Sequence, residues 1–208
     1  MIWILLVQLK DLQKIKNKTM IIIGITGTLG AGKGTVVDYL VKKKGFQHYS
    51  VRAYLLEKIR ERGLPENRDS MVLVANELRA EHSPSYIVDE LFKQAQASDQ
   101  NCIIESIRTP GEAESLSKKG EFYLFAVDAD PKIRYERIFL RKSETDQISF
   151  ETFLENEQRE MNSTDPNKQN LKKCIQMANF VLNNDGNFKE LEKQVDKIIN
   201  QLKVKDRK

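Results

Sequence analysis

The chain has 208 residues, is 40% hydrophobic and 31% charged, and carries a formal net charge of +4. That length supports one sizeable α/β domain with its own core, and the composition is that of a globular protein, which argues against a disordered chain. Two cysteines, Cys102 and Cys174, and two histidines, His48 and His82, fit no disulfide framework or metal-ligand spacing, so a reducing, cytoplasmic setting is expected.

The small positive surplus comes partly from the basic tail at 203–208 and suits an enzyme that handles polyanions. No basic-aromatic interleaving of the single-strand-binding kind occurs, so small nucleotides rather than nucleic acid are the expected partners. Nothing in the sequence speaks to oligomeric state. Met1 to Leu9 is apolar, but too short to span a bilayer and without the basic flank and cleavage site of a signal peptide. Residues 1–19 are expected to be an extension of the kind an upstream start would add, with no role in catalysis, and no membrane partner is expected. One domain is expected over 20–202.

Met20 to Thr26 is a continuous β-branched run, the pattern of a strand buried on both faces. Gly27 to Gly34 interrupts it, and Thr35 to Lys44 shows helical spacing. Phe46 to Ser50 predicts a second strand, and Val51 to Arg62 a helix ended by Gly63. Ser70 to Ala80 and Ser85 to Ala97 predict two more helices. Asn101 to Glu105 is a third strand, Pro110 to Lys119 a helix, and Phe122 to Val127 a fourth strand. Pro131 opens a helix to Lys142. Ser149 to Met161 and Asn167 to Met177 follow as helices, Asn179 to Leu182 as a fifth strand, and Asn187 to Leu202 as an amphipathic closing helix. Short apolar strands alternating with helices predict a three-layer α/β/α fold around a five-stranded parallel sheet, with ligands at the carboxyl ends of the strands.

The chemistry concentrates at Gly27-Thr28-Leu29-Gly30-Ala31-Gly32-Lys33-Gly34-Thr35. The spacing of Gly27, Gly32 and Lys33 is that of a Walker A phosphate loop, with an apolar strand before it and a helix after it. Glycines let backbone N–H groups approach phosphate oxygens, the helix start adds a favourable dipole, and Lys33 supplies a mobile cation for the β- and γ-phosphates. ATP with Mg²⁺ is the expected ligand, although no feature fixes the donor base. Gly34 fills the place where the general motif has a metal-binding Ser or Thr. Thr35 is therefore a candidate metal ligand, with a phosphate contact the preferred role.

This Gly-Lys-Gly-Thr form resembles the loop of adenylate kinase and its nucleoside monophosphate kinase relatives. Ile103 to Pro110, followed by Glu112 to Leu116, is similar to the segment in which a strand of that family ends in an acid and turns through an arginine-threonine pair into a helix. The resemblance implies that Glu105 organises hydrated Mg²⁺ and that Arg108 binds the acceptor phosphate. A carboxylate at the end of a buried strand is costly without such a task. The family's acid-glycine-phenylalanine-proline turn is absent. Phe46 to Leu55 resembles the start of the family's monophosphate-binding region, making Ser50 and Arg52 candidate acceptor ligands, with Arg79 able to reach the same pocket. That acceptor region is expected over about 50–98.

Arg134, Arg137 and Arg141 recur at spacings of three and four, on one helix face. The arrangement is similar to the family's lid hinge, whose arginines fold over the transferring phosphates. Arg159 would return from the far side of a short lid at about 142–158. The end of the chain, Ala178 to Gly186 and the closing helix, is more similar to dephospho-CoA kinase. Two kinase readings therefore stay open: transfer to a nucleoside or deoxynucleoside monophosphate, with Lys33, Arg108, Arg137 and Arg141 catalytic, or transfer to a ribose hydroxyl. The second needs a carboxylate base, and Ser50 to Ala53 offers none. A slow nucleotide-dependent switch is a third reading, which the arginine set disfavours.

Overall fold

The structure, a computed structural model, describes residues 20–141 and 148–205. Ile21–Gly27 (β1), Gln47–Ser50 (β2), Cys102–Glu105 (β3), Glu121–Asp128 (β4) and Phe180–Asn183 (β5) form one sheet in the order β2-β3-β1-β4-β5. Each neighbouring pair runs parallel. β1 is central, which is why its residues are all buried and why it reads as an unbroken apolar run instead of an alternating one.

Alternation reappears in three dimensions. Ile22, Ile104 and Leu124 face a layer built by Val51–Glu61 (α2), Arg68–Glu81 (α3), Tyr86–Ser98 (α4), Pro110–Ser117 (α5) and Leu171–Met177 (α8). Ile21, Ile23, Ile25, Phe125 and Val127 face the opposite layer, made by Lys33–Lys44 (α1) and Phe188–Lys205 (α9). Pro131–Leu140 (α6) and Phe150–Met161 (α7) complete the described helices. This is the three-layer P-loop fold expected from the sequence.

Boundaries moved where a side chain took over a backbone task. β1 runs to Gly27, which still pairs with Val127. α8 starts at Leu171, four residues later than the periodicity predicts, because the Asn170 side chain caps it by accepting from the Lys173 amide. β5 starts at Phe180 because Asn179 clasps Leu124 instead, its amide donating to the Leu124 carbonyl and its Oδ1 accepting from the Leu124 amide. The extension at 1–19, the first part of the expected lid at 142–147 and the last three tail residues lie outside the described residues. Among the described residues, no helix is long and apolar enough to cross a membrane.

Candidate active site at the phosphate loop

The carboxyl ends of β1 and β3 lie side by side, Ile25 opposite Glu105, and β2 brings Ser50 opposite Glu105 from the other side. The phosphate loop leaves β1 at this edge. Gly30 and Gly32 both take positive φ. Gly32 is the N-cap of α1, with no side-chain cap, so the first amides of that helix keep the donors that an anion can take. A Cβ on Gly32 would lie 2.2 Å from Asn184 Nδ2, so glycine is required here by space as well as by backbone conformation.

Lys33 curls back over the loop. Its Nζ donates to the carbonyls of Gly27 at 2.9 Å and Thr28 at 2.8 Å. Burial, and then the positive charge of Arg108, lower its pKa to about 7. The charges of Glu105, Glu160 and Arg141 also act on it, the two carboxylates raising its pKa and the guanidinium lowering it. Thr35 is half-buried in the first turn of α1, its amide donating to the Gly32 carbonyl.

Glu105 is held from the side. Ser50 Oγ donates to Oε1 at 2.8 Å and His48 Nε2 lies 3.6 Å from the same oxygen. Burial pushes the carboxyl pKa up, but His48, Ser50 and Lys33 outweigh it and hold the group below its ordinary value. An ionised, oriented oxygen donor beside a phosphate loop fits hydrated Mg²⁺. Among the described residues no cluster of three or more His, Cys, Asp or Glu could hold a metal ion.

A cavity of about 450 Å³ is lined by Leu29 of the loop and by Arg52, Arg68, Arg79, Arg108 and Arg141, with Val51, Leu55, Met71 and Val72 as apolar walls. Five arginines and one acid, Glu160, share this lining. Arg52, Arg79 and Arg108, expected on the acceptor side, and Arg141, expected at the lid, line this one cavity. Ser106, in the left-handed region at φ 63°, carries the turn out of β3 and lines the same cavity.

Other candidates have different surroundings. Ser50 caps α2 by accepting from the Ala53 amide and orients Glu105, and it does not line the cavity. Arg79 is 2% exposed and forms a buried pair with Glu112, whose Oε1 accepts from both Nε and Nη2. Arg134 departs from the lid role. Its Nε donates to the Ala129 carbonyl at 2.8 Å, and its guanidinium pairs with Glu157 and reaches the Leu29 carbonyl at 3.3 Å. It props the phosphate loop from below, because its place on α6 faces the core. Arg137 Nη2 donates to the Asn184 carbonyl at 2.8 Å, while its Nη1 is buried without a partner. Arg159 is bonded to Asn156 and lines a second cavity, beyond Arg68 and Glu160.

Several residues escaped the sequence reading. Asn184, just after β5, donates from Nδ2 to the Ala31 carbonyl at 2.8 Å. Asp128, at the end of β4, accepts from Thr28 Oγ1 at 3.1 Å. Glu160 receives Arg68 Nη2 on one oxygen and Arg108 Nη1, at 2.5 Å, on the other. Burial raises its pKa, but Arg108 and then Arg68 hold it below the ordinary value. The asparagine-rich turn after β5 was the one available signal for Asn184; none marked Glu160.

Residues 23–163 match a family model described as an AAA domain. A UPF0200 protein of Methanococcus maripaludis strain C6 is 30% identical over 194 residues, 88% of this chain and 100% of that protein. One from Pyrococcus abyssi is 26% identical over 187 residues, 87% of this chain and 96% of that protein. Among solved structures, TT1252 from Thermus thermophilus is similar with a TM-score of 0.58 at 21% identity, over 89% of this chain and 99% of that one. Shikimate kinase from Bacteroides thetaiotaomicron is similar with a TM-score of 0.56 at 14% identity, again over 89% and 99%. Structures this distant in sequence share the fold alone. The chain belongs to the UPF0200 protein family, and its residues 23–163 are an AAA domain of the P-loop type.

Proposed function

We propose that the protein transfers the γ-phosphoryl group of ATP to a small phosphorylated acceptor, a nucleoside or deoxynucleoside monophosphate, in the manner of nucleoside monophosphate kinases. The observation that carries this reading is the arginine-lined cavity that shares Leu29 with the phosphate loop. Magnesium-bound ATP, when present, supplies the transferable group and a metal that offsets charge on its oxygens. In this reading the loop amides of Gly27 to Thr35 and Lys33 hold the β- and γ-phosphates. Glu105, and less directly Thr35, face the hydrated metal. Arg108 and Arg52 hold the acceptor phosphate, Ser50 serves through Glu105, and Arg79 forms the cavity wall. Arg141 and Arg137 bring positive charge toward the migrating group, whose oxygens gain from guanidinium donors.

An acceptor phosphate oxygen is already anionic, so positioning and charge neutralisation suffice. The acceptor region is assigned to about 50–98 and the lid to about 142–158, with Arg159 at its far end. One observation favours a hydroxyl acceptor as the second reading. Glu105 supplies at the end of β2, through register with Ser50, the acid that the β2 segment itself lacks. The two readings part in an assay of ADP release with a panel of monophosphates and with dephospho-CoA. Acceleration by monophosphates supports the first; acceleration by dephospho-CoA alone transfers the assignment to the second.

A further inference from the structure

We propose that the seat now held by the Glu160 carboxylate, between Arg68 and Arg108, is the subsite for the acceptor's anionic group, a phosphate dianion, and that Glu160 is its resident competitor. The inference rests on the phosphoryl-transfer reading, and it adds Arg68 to the acceptor's ligands.

The two arginines converge from different elements. Arg68 begins α3, right after its Asn67 cap, and Arg108 follows β3. Both are partly buried, with side chains 33% and 21% exposed, and the carboxylate between them is 12% exposed. All three line the cavity that Leu29 of the phosphate loop also lines. Each guanidinium donates to a different oxygen of the one anion, and charge-assisted arginine donors serve carboxylate and phosphate oxygens alike.

The cations are fixed while the anion's anchorage is at a helix end. The Arg108 amide donates to Glu112 Oε2 at 2.7 Å, its carbonyl accepts from the Asn170 amide at 2.8 Å, and its Nη1 also donates to Gln169 Oε1 at 3.0 Å. Glu160 is the next-to-last residue of α7. Charge decides which anions displace it. Arg79 has its own counter-ion in Glu112, but Arg68 and Arg108 share a single negative charge, so a dianion gains more there than the carboxylate it replaces. Monoanionic ligands gain little. Glu160 thereby selects for a phosphate group, and an empty cavity never leaves two half-buried guanidiniums uncompensated.

The test is calorimetric titration of inorganic phosphate into the full chain, with the phosphate loop filled by saturating magnesium–ADP. Glu160→Gln is expected to tighten phosphate binding at least about tenfold. Arg68→Gln is expected to weaken it in the otherwise native chain and to cancel the gain in the double variant, each titration being run at a magnesium–ADP concentration that saturates that protein. Unchanged or weaker phosphate binding in Glu160→Gln overturns the inference. So does native phosphate affinity in Arg68→Gln, which keeps the test decisive if Glu160→Gln does not fold. Should magnesium–ADP bind to none of the proteins, the proposed function falls, and the same phosphate titrations still decide the subsite by the same outcomes.

Discussion

Asn184 and Ala31 are 153 positions apart in the chain, yet the side-chain amide of the first donates to the carbonyl of the second at 2.8 Å. The last strand thus fixes the shape of the first loop. Because Asn184 is buried, replacing it with Ala leaves a buried carbonyl unpaired, a cost of about 1–3 kcal/mol. Asn184→Ala is expected to lower the melting temperature and to weaken magnesium–ATP binding together, as thermal melts with and without nucleotide would show.

Gly32→Ala strikes the same contact from the loop side. The added methyl would meet Asn184 Nδ2, at a residue whose φ is 96°. Strain of about 1–3 kcal/mol is expected, with nucleotide affinity lost before the fold is. Circular dichroism together with a nucleotide-dependent melting shift separates those two effects.

The depressed pKa of Lys33 predicts that nucleotide binding is coupled to protonation. Its folded value is about 7 against 10.5 in a free side chain. Between those pH values the unfolded chain holds the proton and the folded one does not, so this residue's contribution to stability rises with pH across that window and is smallest below pH 7. Phosphates beside the amine reverse the shift. Binding of magnesium–ATP at pH 8 is therefore expected to take up about one proton, seen as buffer-dependent binding enthalpy. Lys33→Met should abolish the uptake.

The Arg79–Glu112 pair is the structural keystone between α3 and α5. Glu112 is fully buried, accepts from Arg79, and closes a capping box with Thr109. Glu112→Ala strands a buried cation and opens a helix start, a loss of about 3–5 kcal/mol. Urea denaturation measures it. An Arg79→Met/Glu112→Met double variant is expected to recover the part due to the stranded cation, but not the part due to the Arg108 and Thr109 amides, which lose Glu112 Oε2 as their acceptor.

Ser50 serves two partners with one hydroxyl. Ser50→Ala is expected to cost about 1 kcal/mol as a lost cap and to reduce turnover more than nucleotide affinity, since Glu105 loses an orienting donor. Steady-state kinetics beside a direct binding isotherm distinguishes the two losses.

The fold and the phosphate loop could be read from the chain because their determinants are local. β1 is a contiguous apolar run, and Gly27 to Thr35 sit in register with one strand end and one helix start. The roles of the arginines were less legible, since they depend on partners far away in sequence. Arg134 and Arg137 share a helical spacing, but Glu157 and Ala129 claim the first and Asn184 the second. Glu160 looks like any acid on a charged helix until folding carries it to Arg108, 52 positions away. Local pattern carries no record of such pairings.

The central claim is that the loop at Gly27 to Thr35, with Lys33, grips nucleotide phosphates, and a calorimetric titration of magnesium–ATP into the native chain and into Lys33→Ala addresses it most directly. Saturable one-to-one binding in the native protein, weakened by at least about tenfold in the variant, is the expected result. A correctly folded native protein that shows no affinity for the magnesium–nucleotide, or a variant that binds it equally well, would contradict the account.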